Sequence, residues 1–208
     1  MANRQQIVEA EDKRVLGLQL PTDPRWVDLT QISIGDILTD HAYCEQKAAS
    51  SCISLITKYP NLKELVDKLS PVVTEEWGHF RMVLRELKKR DLPLGHQRKD
   101  EYVNKLQEFT SKSGKGPQEV LLDKLLVFAL IEARSCERFR LLSLHISDES
   151  LKEFYHDLMV AEASHYRMFL DLAKTYIPEE TVQKRWKELL DAEAEIMKTL
   201  EVRGDRMH

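Results

Sequence analysis

Apolar and small residues recur along most of this chain at three- and four-residue intervals, and no sustained two-residue alternation marks a strand. Leu38, Ala42, Ala49, Cys52 and Ile56 share one face and predict a first long helix from about Ser33 to Lys58, where Tyr59-Pro60 breaks it. Asn61 followed by Glu64 resembles a capping box opening a second helix that continues to about Arg90. Pro71 lies inside that pattern and predicts a kink or a split. After Asp91-Leu92-Pro93-Leu94-Gly95, a short helix near 99–110 leads into a linker at 111–116 rich in Ser, Lys and Gly. Pro117 suits the first turn of a third long helix, apolar on most sides and reaching about Ile146. Ser147-Asp148 caps a fourth to about Tyr176, and Pro178-Glu179-Glu180 opens a last one over about 178–200, with acidic residues at its positive end. Ahead of all these, residues 1–32 read as extended, with Pro21 and Pro24 holding the chain out.

Four long helices in two hairpins, joined by a crossover that carries the short helix, predict an all-α fold. The arrangement is a ferritin-like four-helix bundle with a crossover connection and additional short helices. A length of 208 residues suits one domain over 1–208. The formal charge of −4 leaves no global footprint for nucleic acid or an anionic membrane, so any such contact rests on a local patch. No run approaches the roughly 18 apolar residues of a membrane span. The N-terminus, with Glu9, Glu11 and Asp12, does not read as a signal peptide. Cys44, Cys52 and Cys136 lack the paired spacing of a zinc-ribbon or rubredoxin site. They read as free thiols in a reducing cytoplasm.

The two hairpins resemble each other. His79-Phe80-Arg81-Met82-Val83-Leu84 recurs as His165-Tyr166-Arg167-Met168-Phe169-Leu170, and Leu62-Lys63-Glu64-Leu65 as Leu151-Lys152-Glu153-Phe154. Each copy of the longer repeat ends a Glu-x-x-His pair, Glu76/His79 and Glu162/His165. Residues i and i+3 share a helix face, so such a pair can ligate one metal ion. With 21 Glu and 7 His in the chain, chance alone gives roughly 0.7 such spacings, so the motif is weak when single. A third instance, Glu153/His156, lies nine residues before Glu162/His165 on the same predicted helix. It therefore points the opposite way and reads as solvated.

Counting from the turns finds partners. Glu45 lies fifteen residues before Pro60 and Glu76 sixteen after it; Glu132 and Glu162 lie fifteen either side of Ser147. One Glu from each of two helices and a Glu-x-x-His from each of the other two is the ligand set of a di-iron carboxylate bundle. Metal-free, so many carboxylates on buried faces would repel strongly. Glu137 competes with Glu132, since it follows Cys136 as Glu45 follows Cys44, but it sits about 7.5 Å along the axis from the matching level. His41, one turn before Glu45, is placed either to orient a ligand carboxylate or as a polar residue near the bundle end. Tyr43, Tyr166 and Trp77 read as core aromatics, and Cys44 and Cys136 as small buried hydrophobes.

At these residues the chain resembles a known family. Asp40-His41-Ala42-Tyr43-Cys44-Glu45-Gln46-Lys47-Ala48-Ala49 with Glu75-Glu76-Trp77-Gly78-His79-Phe80 is similar to the tRNA hydroxylases called MiaE. Leu92-Pro93-Leu94-Gly95, Arg98-Lys99-Asp100 and Glu132-Ala133-Arg134-Ser135-Cys136-Glu137-Arg138-Phe139 extend the likeness over about 20–175. The resemblance implies a centre of two iron ions held by Glu45, Glu76, His79, Glu132, Glu162 and His165. It implies molecular oxygen as co-substrate and hydroxylation of the isopentenyl side chain of 2-methylthio-isopentenyladenosine beside the tRNA anticodon. An external electron donor is then required, and no catalytic group beyond the metal ligands is indicated.

Basic candidates for the tRNA backbone are Lys88, Lys89, Arg90, Arg98 and Lys99, with Lys112, Lys115 and Lys184-Arg185 as further possibilities. Arg134, Arg138 and Arg140 lie on the buried helix and read as partners of carboxylates instead. A ferritin-like redox or iron-storage protein that does not act on RNA would share the ligand set and is the competing reading.

Overall fold

Seven helices carry the regular structure of the computed structural model, which describes residues 16–110 and 116–208. No strand occurs among those residues. They are α1 (Arg25–Ile32), α2 (Ile34–Lys58), α3 (Lys63–Lys89), α4 (Glu101–Thr110), α5 (Pro117–His145), α6 (Glu149–Tyr176) and α7 (Glu179–Thr199). The linker expected at 111–116 lies, but for Gly116, outside the described residues.

The chain divides into two compact units. One holds residues 28–99 and 203–207 and is built on the α2–α3 hairpin. Leu38, Ala42, Ala49, Cys52 and Leu55 on α2 and Leu65, Leu69, Val72, Val83 and Leu87 on α3 form its buried stripes. The tail at 203–207 is held by polar contacts: the Asp205 carboxylate accepts from Arg203 and Arg206, its carbonyl accepts from Arg98 at 3.2 Å, and the Met207 N–H donates to Asp40 at 2.7 Å. Gly204 is obligatory there, because a Cβ would stand 2.3 Å from the Leu29 carbonyl carbon.

The other unit holds the chain up to Val27, residues 100–202 and His208, and is built on the α5–α6 hairpin. As its composition predicts, α5 is buried on nearly every side. Phe139 packs against Tyr155 and Phe128 against Phe169, each with ring centroids 5.4 Å apart. Asp148 caps α6 by accepting from the Ser150 and Leu151 N–H groups. The N–H of Gly116 donates to the Glu119 carboxylate at the start of α5.

Three expectations need correction. The segment 1–32 is not extended throughout, since residues 25–32 form α1. The Asp23 carboxylate accepts from the Arg25 N–H at 2.9 Å and the Asp23 carbonyl accepts from the Trp26 N–H, so Asp23-Pro24 is a helix start rather than an extended dipeptide. Asn61 does not cap α3: the cap position is Leu62 and makes no side-chain hydrogen bond. Pro71 does not split α3, which runs unbroken from Lys63 to Lys89. Pro71 and Asp67, whose carbonyl loses its helical donor, are both on the exposed side, where water serves instead.

Candidate metal centre

Within the α2–α3 hairpin, the buried faces of both helices carry acid. Glu45 is 4% exposed and Glu76 1%. Nδ1 of His79 lies 3.5 Å from Oε2 of Glu45 and 3.8 Å from Oε2 of Glu76. Those separations exceed a good hydrogen bond. They approach the spacing of two donors that share one ion at about 2.1 Å from each. One ligand atom from each of Glu45, Glu76 and His79 lies within 4.8 Å of the others. On α2, Nε2 of His41 is 2.7 Å from Oε1 of Glu45, with the imidazole fully buried. Cys52 is buried on the same hairpin, and burial, with the Glu76 charge second, pushes its thiol up to about 12. Its thiol is not among the clustered ligand atoms of this hairpin.

The α5–α6 hairpin repeats the arrangement. Glu132, Glu162 and His165 are all buried, and their ligand atoms also lie within 4.8 Å of one another. Nδ1 of His165 is 3.8 Å from Oε2 of Glu162. Glu137 belongs elsewhere. Its carboxylate accepts from the Thr22 N–H and hydroxyl, each at 2.7 Å, and pairs with Arg134. Glu153 and His156 are exposed.

Each hairpin thus offers two carboxylates and one imidazole. A donor set of oxygens with one neutral nitrogen suits iron, and a metal ion offsets charge that burial would otherwise make costly.

Some readings of the sequence are corrected here. Trp77 is not a core aromatic but is 48% exposed. Cys44 is only half-buried, whereas Cys136 is buried and donates to the Met159 carbonyl. Tyr43 is half-buried and its hydroxyl donates to the Gly95 carbonyl; Tyr166 packs against Trp186. Of the basic candidates, Lys89 and Arg90 pair with Glu86, and Arg98 with Asp36 and Asp205. Lys88 and Lys99 are exposed.

A buried ionic network in the second unit extends beyond the carboxylate pairing that the sequence predicts for Arg134. Nε of Arg134 donates to Glu193 at 3.0 Å, and Arg134 also reaches Glu137, Thr22 and the Leu20 carbonyl. Burial alone would disfavour its charge, but the Glu137 and Glu193 carboxylates outweigh that and hold its pKa above the usual arginine value. Arg138 beside it lies over the Trp26 ring, 4.8 Å from the centroid. The available signal was Glu193 lying among Leu189, Leu190 and Ala194 on a helix with one buried face.

The family model for tRNA-(MS[2]IO[6]A)-hydroxylase (MiaE) matches residues 9–208. The chain belongs to this family. A Pseudomonas putida protein named tRNA 2-(methylsulfanyl)-N(6)-isopentenyladenosine(37) hydroxylase is 37% identical over 88% of this chain and 87% of its own. A Salmonella typhimurium protein of the same name is 26% identical, over 86% of this chain and 83% of its own. Among solved structures, "Protein 43 with aldehyde deformylating oxygenase activity from Synechococcus" superposes with a TM-score of 0.86 at 35% identity, covering 92% of this chain and 94% of that one. The fold of this MiaE-family chain is therefore all-α and ferritin-like, as its periodicity predicts.

Proposed function

We propose that this chain hydroxylates the isopentenyl side chain of 2-methylthio-isopentenyladenosine next to the tRNA anticodon, with molecular oxygen as co-substrate. Two iron ions would be held by Glu45, Glu76 and His79 from one hairpin and Glu132, Glu162 and His165 from the other. The observation that carries this reading is the duplicated, buried Glu-x-x-His with its partner Glu, within a chain of the MiaE family. One family model spans both compact units, which supports treating 1–208 as one functional domain.

Iron, when bound, supplies oxygen activation; the residues supply its place and surroundings. Four carboxylates would neutralise the charge of the ions, and the two imidazoles would supply neutral donors. His41 holds one oxygen of Glu45 at 2.7 Å, so the other oxygen would be the one available to a metal ion. Leu38 and Ala42 share the buried face of α2 with Glu45, and Leu69 that of α3 with Glu76, so these acids stand on apolar helix faces. The reaction balances as C–H + O2 + 2 electrons + 2 protons → C–OH + H2O, so a reductant from outside this chain is required. No helix among the described residues is long and apolar enough to cross a membrane. We place the protein in the cytoplasm, with its tRNA substrate.

The test is nucleoside analysis of tRNA from cells with and without this protein. Deletion should remove the hydroxylated nucleoside and leave its unhydroxylated precursor. Persistence of the hydroxylated form at its normal level would defeat the assignment. A ferritin-like storage role predicts that same negative result, together with many iron atoms per chain.

A further inference from the structure

Arg81, Arg85 and Lys88 on α3 are exposed and make no ion pair among the described residues, although Lys89 and Arg90 beside them are both paired with Glu86. At about 100° per residue, these three cations and Trp77 fall within roughly 80° of the helix circumference. The stripe covers about 16 Å of axis. Trp77 is 48% exposed yet not loose, because its ring stacks on Phe80 with centroids 4.7 Å apart and planes 23° from parallel. At the next residue, a Cβ at Gly78 would meet nothing within 4 Å, so the helix surface there is open. At the other end, Lys88 borders a cleft of about 360 Å³ lined also by Leu84, Leu87, Asp91, Leu92, Pro93 and Leu94.

A rigid exposed aromatic in line with unpaired cations is the chemistry of single-stranded nucleic-acid binding: stacking for bases, ammonium and guanidinium groups for phosphates. A protein of net charge −4 that binds a polyanion must do so through such a local patch. We propose that the face of α3 bearing Trp77, Arg81, Arg85 and Lys88 docks the single-stranded loop of the RNA substrate, with an unpaired base on Trp77 and phosphates on the three cations. The proposal rests on the tRNA reading above and adds the docking face. Glu76 and His79 occupy the opposite, buried side of the same helix. Trp77 therefore takes a flanking base rather than the one being modified, and the face acts on substrate binding rather than on the chemical step.

The experiment uses iron-loaded full-length protein and a synthetic anticodon stem–loop carrying 2-methylthio-isopentenyladenosine, with affinity measured across a salt series. The variant R81E/R85E/K88E should bind at least about tenfold more weakly near physiological salt, with a log–log salt slope shallower by about 2, as loss of three single-strand phosphate contacts requires. Trp77→Ala should weaken binding by roughly five- to a hundredfold, the range for one base–aromatic stack, and Trp77→Phe should recover most of it. In turnover, KM should rise with kcat little changed. K68E/K124E/K187E, exposed lysines outside that face with the same change in formal charge, should leave affinity within about twofold of wild type. Iron content and urea midpoint are measured on every variant to confirm folding.

Wild-type affinity in R81E/R85E/K88E, or equal weakening in the control, would overturn the docking face while leaving the hydroxylase reading intact. A wild-type protein that neither binds nor hydroxylates the stem–loop removes both. Normal RNA binding by R81E/R85E/K88E, with turnover lost only when a protein supplies electrons, would make this face the donor's and overturn RNA docking.

Discussion

The imidazole of His41 lies 2.7 Å from the carboxylate of Glu45, one helical turn along α2, and both side chains are buried. Were Glu45 to hold iron as proposed, this contact would set which of its oxygens is left for the ion. Removing such a partner commonly costs 10- to 100-fold in metal affinity. His41→Ala should therefore bind iron about 10- to 100-fold more weakly in an anaerobic Fe(II) titration. Unchanged binding would make the contact purely structural.

Glu132 and Glu137 separate by neighbourhood. Glu132→Ala should lose iron, because Glu132 lies with Glu162 and His165. Glu137→Ala should keep iron in elemental analysis and lose stability instead, because the Thr22 N–H loses its acceptor and Arg134 loses one of its two carboxylate partners. Loss of iron from Glu137→Ala alone would reverse the assignment.

Arg134 and Glu193 are both completely buried. Breaking a buried pair from one side typically costs about 3–5 kcal/mol, since the other charge is stranded, whereas an apolar replacement of both partners costs less. Arg134→Met should lower the urea unfolding free energy by about that amount. The double variant R134M/E193L should be more stable than R134M. Additive losses would show that the two residues do not act as a pair.

Acid should loosen the tail at 203–207. The Arg203 hydrogen bond, aided by Arg206 and Arg98, holds Asp205 below its ordinary 3.8. Ser33 and then Arg98 do the same for Asp36. A carboxyl with a lowered folded pKa contributes stability above its unfolded pKa and loses it as pH falls through the folded value. Asp205→Asn should thus be less stable than wild type at neutral pH, and the two should converge below about pH 3.8 in urea titrations. A gap that persists at low pH would assign the tail's anchorage to packing.

Much of this was legible because helices announce themselves locally. The stops at Tyr59-Pro60 and Ser147-Asp148 bound four helices whose positions came out within two or three residues. Counting outward from those turns paired Glu45 with Glu76 and Glu132 with Glu162. The same local logic failed where two local signals compete. Asp23-Pro24 can hold a chain extended or start a helix, and the contacts of Asp23 with Arg25 and Trp26 show the helix start. Asn61 has the spacing of a cap without its geometry.

The sequence by itself determined the helices, their buried stripes and the duplicated Glu-x-x-His, because a 3.6-residue period makes spacing equivalent to direction. Tertiary structure alone decided that Glu137 turns to Thr22 and Arg134 while Glu132 lies with Glu162 and His165. On so uniformly apolar a helix as α5, neither direction is distinguished by its neighbours in sequence. It also decided that Trp77 stands exposed although it lies between Glu76 and His79 in sequence. Burial is a property of what packs against a residue, and two adjacent residues on one helix, Glu76 and Trp77, differ in nothing the local pattern ranks correctly: the acid is inside and the indole outside.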